Sequence, residues 1–276
     1  MTDIGTMRLH EVMVVVYAVS LVFYFIDFLN SNVRLRRIAE WTLILVWILQ
    51  SVFLGMEFLE DRRLPVLSLF EGVNFYAWLI ISLSLVIHLF RRADFAVFFL
   101  NGIGFVAVVI ATFGAAGEKG SAVGDALISE LLFIHITSAM LAYTAFSLSF
   151  VFAILYLRLY RTLKKKDWNS QWGRLPSLEQ AKRAMTFSVI AGVPILLVSL
   201  ILGLQWAFIA AGEFPIWDPK IIGSFLLIII YCILLYMQRR GRLNGPDVAW
   251  GHIFAFLALV VNFLLISRLS VFHFWY

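Results

Sequence analysis

The stretch GEFPIWDPKIIGSF (212–225) separates two long apolar runs, AMTFSVIAGVPILLVSLILGLQWAFIAA (184–211) before it and LLIIIYCILLYM (226–237) after it. Runs of this length and polarity read as transmembrane helices, which need roughly 20 mostly apolar residues. The knot between them is where one span ends and the next begins. Asp218-Pro219 is a helix start, because Asp caps free N–H groups and Pro suits the first helical position. The connector AFIAAGEFPI (207–216) is itself mostly apolar. It therefore reads as lying in the membrane interface or covering something apolar, rather than extending into water.

Composition extends this reading to the whole chain. Of its 276 residues, 62% are hydrophobic and 14% charged, against about 45–50% and about 25% in a soluble domain. Eight segments qualify as spans, at 9–30, 39–59, 66–90, 94–114, 127–157, 184–206, 220–238 and 248–268. The expected fold is an all-α integral membrane protein, a single bundle of eight transmembrane helices. The opening MTDIGTMRLHE lacks a basic n-region and a small-residue cleavage site, so the first apolar run reads as a retained helix.

The net charge of +5 does not mark a nucleic-acid partner, because the cations sit in short loops between spans. The loops after the odd-numbered spans hold 16 of the 22 Lys and Arg, and the rest are Arg8, Arg62, Arg63, Lys119, Lys220 and Arg268. The positive-inside rule then places both termini outside. The segment at about 160–183 carries Trp168 and Trp172 among basic residues, which suits the headgroup layer. The single Cys232 allows no disulfide, CxxC pair or thiolate metal site within one chain. There is no Walker loop, Rossmann glycine cluster or HExxH helix, and no catalytic constellation, so no turnover is expected.

Orientation assigns each histidine a depth. His10, His135 and His273 fall on the outer side, and His88 and His252 on the inner side. Interfacial histidines are tolerated as amphipathic residues. His135, inside LLFIHITSAM (131–140), is different, because a polar ring there needs a hydrogen bond or a metal. Glu71, shallow in the third span, also needs a partner, an arginine or a histidine. Gln50, Asn101 and Asn262 read as contacts between helices. Carboxylates near mid-depth are scarce, which argues against an ion-coupled transporter. Two tryptophans (Trp206 and Trp217), an apolar flap and outer histidines suit a large, flat, apolar ligand needing nitrogen axial ligands, and haem fits.

The order of these features resembles a known family. LPVLSLFEGVNFYAWLIISLSLVIHL (64–89) resembles the P-L-S-N-L-Y-E-S segment of the haem-handling cytochrome c assembly membrane proteins of the CcsA and CcmC type. HITSAMLAYTAF (135–146) resembles their histidine-bearing helix, QWAFIAAGEFPIWDPK (205–220) their tryptophan-rich external segment, and VFHFWY (271–276) the histidine after the last helix. The opening LHEVMVVVYAVSLVFYFIDF (9–28) and the FHFWY ending also resemble HemX-type proteins of Gram-positive bacteria, which are linked to the level of glutamyl-tRNA reductase. The resemblance implies that His135 and His273 are external haem ligands and that Trp206, Trp217 and Asp218 belong to the tryptophan segment. It also pairs Glu71 and His88 with family positions. The chain departs from the pattern in keeping only two tryptophans, lacking a W-G-x-x-W run, and carrying Met237 and Gln238 near the place of the assembly proteins' intramembrane histidine.

The resulting expectation is a multi-pass protein of the bacterial cell membrane that binds haem b between His135 and His273, covered by the 206–218 connector. Arg268, Lys220 and the Arg62/Arg63 pair would face the propionates. His10 is a spare outer ligand or a hydrogen-bond partner, and His88 with His252 a second, inner site. Expected partners are haem, the lipid bilayer, and either a cytochrome assembly protein or glutamyl-tRNA reductase. Haem handling or transport is the first reading of function. A haem-sensing or haem-free regulator of the reductase is the alternative.

Overall fold

The computed structural model describes residues 4–61, 65, 66, 68–88, 94–114, 130–166, 175–211 and 216–270, without the side chains of 4–7, 61, 69, 111, 113, 114, 210, 211, 267 and 268. The described chain is all helical. Its elements are α1 (Ile4–Asn30), α2 (Val33–Asp61), α3 (Leu69–His88), α4 (Asp94–Gly114), α5 (Glu130–Lys165), α6 (Leu178–Ala211), α7 (Pro219–Arg239) and α8 (Gly245–Leu264), followed by a 3-10 turn, Ile266–Leu269. Helices are the natural outcome for such sequences, because a lipid-exposed backbone must satisfy its N–H and C=O groups within its own segment. Seven helices are long and apolar enough to cross a membrane, and α4 contributes the shorter apolar stretch Asp94–Ile110.

Several helices run past the expected apolar segments, α5 and α6 among them. At 1.5 Å per residue, the 36 residues of α5 run to roughly 54 Å, against about 30 Å of hydrocarbon. The excess is the amphipathic end carrying Arg158, Arg161, Lys164 and Lys165, cations that favour a helix C-terminus. At its other end, α6 begins with a capping box. Gln180 N–H donates to Ser177 Oγ at 3.1 Å, and Ser177 N–H donates to Gln180 Oε1 at 2.9 Å. Most of the described part of the basic segment at 160–183 is therefore helix rather than loop; 167–174 lie outside the described residues.

The chain divides into two compact units, α1–α4 and α5–α8. In the first, polar side chains tie helix to helix. Tyr17 on α1 is fully buried and donates to Asn101 Oδ1 on α4 at 3.1 Å. Gln50 on α2 donates to the Asn74 carbonyl on α3 at 2.8 Å. At one end, Arg36 pairs with Asp94 at 2.6 Å, and His88 Nε2 lies 3.2 Å from Glu40 Oε1.

In the second unit α5 is the centre. Its apolar window is 72% buried, against 33% for α6, 28% for α7 and 39% for α8. It runs antiparallel to α6, where Gly192 lets the Phe146 ring approach and Gly203 lets the His135 ring approach. Phe146 stacks on Tyr231 of α7 at 4.2 Å, and Phe150 on Phe256 of α8 at 4.4 Å. Asn262 on α8 donates to Ser224 Oγ on α7 at 3.1 Å. All three uncharged polar residues singled out in the sequence, Gln50, Asn101 and Asn262, thus join neighbouring helices.

Candidate functional site

His135 sits in the second turn of α5 and is held from α6. Its Nδ1 lies 2.6 Å from the Ser199 carbonyl oxygen. A carbonyl can only accept, so Nδ1 carries the proton and Nε2 the lone pair. Ser199 Oγ donates to the His135 carbonyl at 2.8 Å and lies 3.1 Å from Nδ1. Gly203, one turn on, makes room for the ring, since a Cβ there would stand 2.6 Å from His135 Cε1. Ser199, Gly203 and Trp206 fall at i, i+4 and i+7, one face of α6. The half-buried Trp206 therefore continues the stripe that holds His135. A neutral imidazole oriented through Nδ1–H, with Nε2 as donor atom, is the form in which histidine ligates a metal.

The other end of the connector is also fixed in this unit. Asp218 caps α7, accepting from Lys220 N–H at 2.9 Å and Ile221 N–H at 3.4 Å, with Pro219 at the first helical position. Ser270 Oγ donates to Asp218 Oδ2 at 2.8 Å, which ties the chain just after the 3-10 turn to the start of α7. Lys220 is buried, donates from Nζ to the Asn262 carbonyl at 3.0 Å and lies 5.3 Å over the Phe263 ring. Gly223 permits this packing, because a Cβ there would collide with Asn262 Oδ1. Trp217 is 87% exposed. His273, Arg62, Arg63 and the 212–215 part of the connector lie outside the described residues, as does the Arg268 side chain.

His10 and Glu71 belong to the first unit. The Thr112 hydroxyl donates to the Val108 carbonyl at 2.8 Å, so its oxygen accepts from His10 Nε2–H at 3.0 Å. The ring is 6% exposed and packs against Phe70 and Phe53, with centroids at 4.9 and 5.4 Å. Its Nδ1 has no hydrogen-bond partner among the described residues. Glu71, the neighbour of Phe70, closes a capping box on α3. Its N–H donates to Ser68 Oγ at 3.1 Å, and its Oε2 accepts from the Ser68 N–H at 3.4 Å.

The two histidines expected at the inner face have separate settings. His88 meets Glu40 in the first unit. His252, in the second, is 1% exposed, with Ser149 Oγ 2.8 Å from Nδ1 and no partner for Nε2 among the described residues. Among the described residues no three His, Cys, Asp or Glu side chains converge as a metal cluster would require. Sequence reasoning did not find Ser199, Gly203, Thr112 or Ser270. Small residues at fixed spacing along α6 were the available signal for the first two.

Seven span-length apolar helices and histidines set between them define a multi-pass helical membrane protein. Residues 66–273 match the family Cytochrome C assembly protein, and the chain belongs to it. It is 42% identical over 276 residues to Protein HemX of Bacillus subtilis (strain 168), covering all of both chains. To Protein HemX of Brevibacillus brevis it is 40% identical over 268 residues, covering 97% of this chain and 98% of the relative. To Cytochrome c biogenesis protein CcsA of Guillardia theta it is 21% identical over 271 residues, covering 91% and 90%.

Proposed function

We propose that this protein binds haem b and handles or transports it at the outer face of the bacterial cell membrane, with His135 as one axial ligand. The observation that carries the reading is the His135 setting. An imidazole inside a membrane helix is oriented by the Ser199 carbonyl through Nδ1 and shares its helix pair with Trp206. Haem would supply the iron, and His273 and the tryptophan connector would complete the site as the family likeness implies. In this reading α4 is the eighth span and both termini lie outside.

A second reading has a specific observation behind it. The full-length likeness at 42% and 40% is to proteins named HemX, whereas the likeness to CcsA is 21%. The same haem site would then serve to sense haem and adjust the level of glutamyl-tRNA reductase, or the fold would persist as a haem-free regulator. Protein purified in detergent should carry a Soret band and release haem b on extraction. Purified protein without haem, even after loading, would sink both haem-binding readings. Deletion in cells then separates the two: loss of cytochrome c supports handling, and a changed reductase level supports sensing.

A further inference from the structure

One cationic groove remains unused by the proposed site. It lies in the second unit between α5 and α8 and encloses about 420 Å³. The α5 side is a single stripe: Ile154, Leu157, Arg158, Arg161, Thr162 and Lys165. Their spacing of three and four residues puts all six on one helix face. Trp250 and Ile253 form the opposite wall from α8. Along α5 the stripe changes from apolar to cationic within about three turns, roughly 17 Å at 1.5 Å per residue. Arg158, Arg161 and Lys165 are exposed, as is Trp250 at 41%.

We propose that this groove binds one anionic phospholipid, its phosphate between Arg161 and Lys165 and its upper acyl chain against Ile154, Leu157, Ile253 and Trp250. The gradient along α5 argues for an amphiphile. A soluble anion would need only the cationic end, and an apolar ligand only the other. A basic pocket between membrane helices at the headgroup level attracts anionic lipid through phosphate contacts and the surface potential. Tryptophan at that level presents an apolar ring and a polar N–H to the same boundary. Thr162 Oγ1 donates to the Arg158 carbonyl at 3.0 Å, so its proton is already engaged and is not offered to the phosphate. The phosphate is therefore held by charge, and the binding should discriminate headgroups by charge. The inference rests on the spanning helices alone and stands whether or not haem binds.

The test is native mass spectrometry of the full-length protein in detergent with added phosphatidylglycerol or phosphatidylcholine of identical acyl chains. The wild type should retain phosphatidylglycerol preferentially. In R161Q/K165Q, both exposed positions, that preference should fall by roughly fivefold for each cation removed. The matched variant R239Q/R242Q, which loses the same charge at the end of α7 and in the turn that follows it, should keep it. Equal retention of the two lipids by the wild type, or equal loss in the two variants, would overturn the proposal. Displacement of the lipid by millimolar inorganic phosphate would also overturn it, in favour of a free-anion site.

Discussion

His135 on α5 and Ser199 on α6 are joined in both directions: the imidazole donates to the Ser199 carbonyl, and the Ser199 hydroxyl donates to the His135 carbonyl. The two helices thereby fix the ring's tautomer and its azimuth without using Nε2 in that bond. In lipid such bonds hold helices together as well as orienting a ligand, with strengths of about 0.6–2 kcal/mol.

Gly203→Ala should disturb this arrangement directly. The new methyl would stand 2.6 Å from His135 Cε1, so either the ring or α6 must move. Overpacking of this kind costs about 1–3 kcal/mol. Haem retention should fall, and the thermal midpoint in detergent should drop. Ser199→Ala, which keeps the carbonyl acceptor, should retain more haem than Gly203→Ala.

Asp218→Ala should destabilise the second unit. The change removes the cap of α7 and the acceptor for Ser270, and cap loss alone costs about 0.5–2 kcal/mol. Asp218→Asn keeps an oxygen for the cap and offers an N–H₂ to Ser270, so it should unfold close to the wild type. Thermal unfolding followed by circular dichroism distinguishes the two. Equal midpoints for both variants would mean that the cap contributes nothing.

Much of this fold is legible in the sequence because apolar length reports helices directly, and because Asp218-Pro219 carries its own start signal. Hydropathy fails at the ends of α5 and α6. It measures hydrocarbon length, and a helix continues past it while caps and basic residues support it. The boxes S-L-F-E (68–71) and S-L-E-Q (177–180) are readable signals for the starts of α3 and α6. The first gives Glu71 a local contact with the Ser68 backbone N–H, besides the arginine or histidine that its depth in the span suggests. The pairing of His135 with Ser199 is a different matter. The two are 64 residues apart, and only the antiparallel register of α5 and α6 brings them together.

The 16-to-6 division of basic residues predicts that both termini lie outside. A C-terminal reporter that is active only in the cytoplasm should therefore be silent in cells, and one active only outside should be bright. The reverse pattern would invert every depth assigned to the histidines.

The inner histidines should be dispensable for the outer site. His252 meets α5 at Ser149, which lies about 21 Å along that helix from His135 at 1.5 Å per residue, so one iron cannot reach both rings. His88 is engaged by Glu40. Replacing both with Ala should leave the haem spectrum unchanged. Loss of all haem from a folded double variant would make the inner position the primary one.

Absorption spectroscopy of His135→Ala and His273→Ala beside the wild type, all purified in detergent, tests the central claim most directly. Two axial imidazoles give a six-coordinate, low-spin haem in the wild type. Each variant should lose one ligand and turn five-coordinate, or lose its haem altogether. A low-spin spectrum that survives unchanged in His135→Ala would contradict the assignment of the Ser199-held imidazole as the iron's ligand.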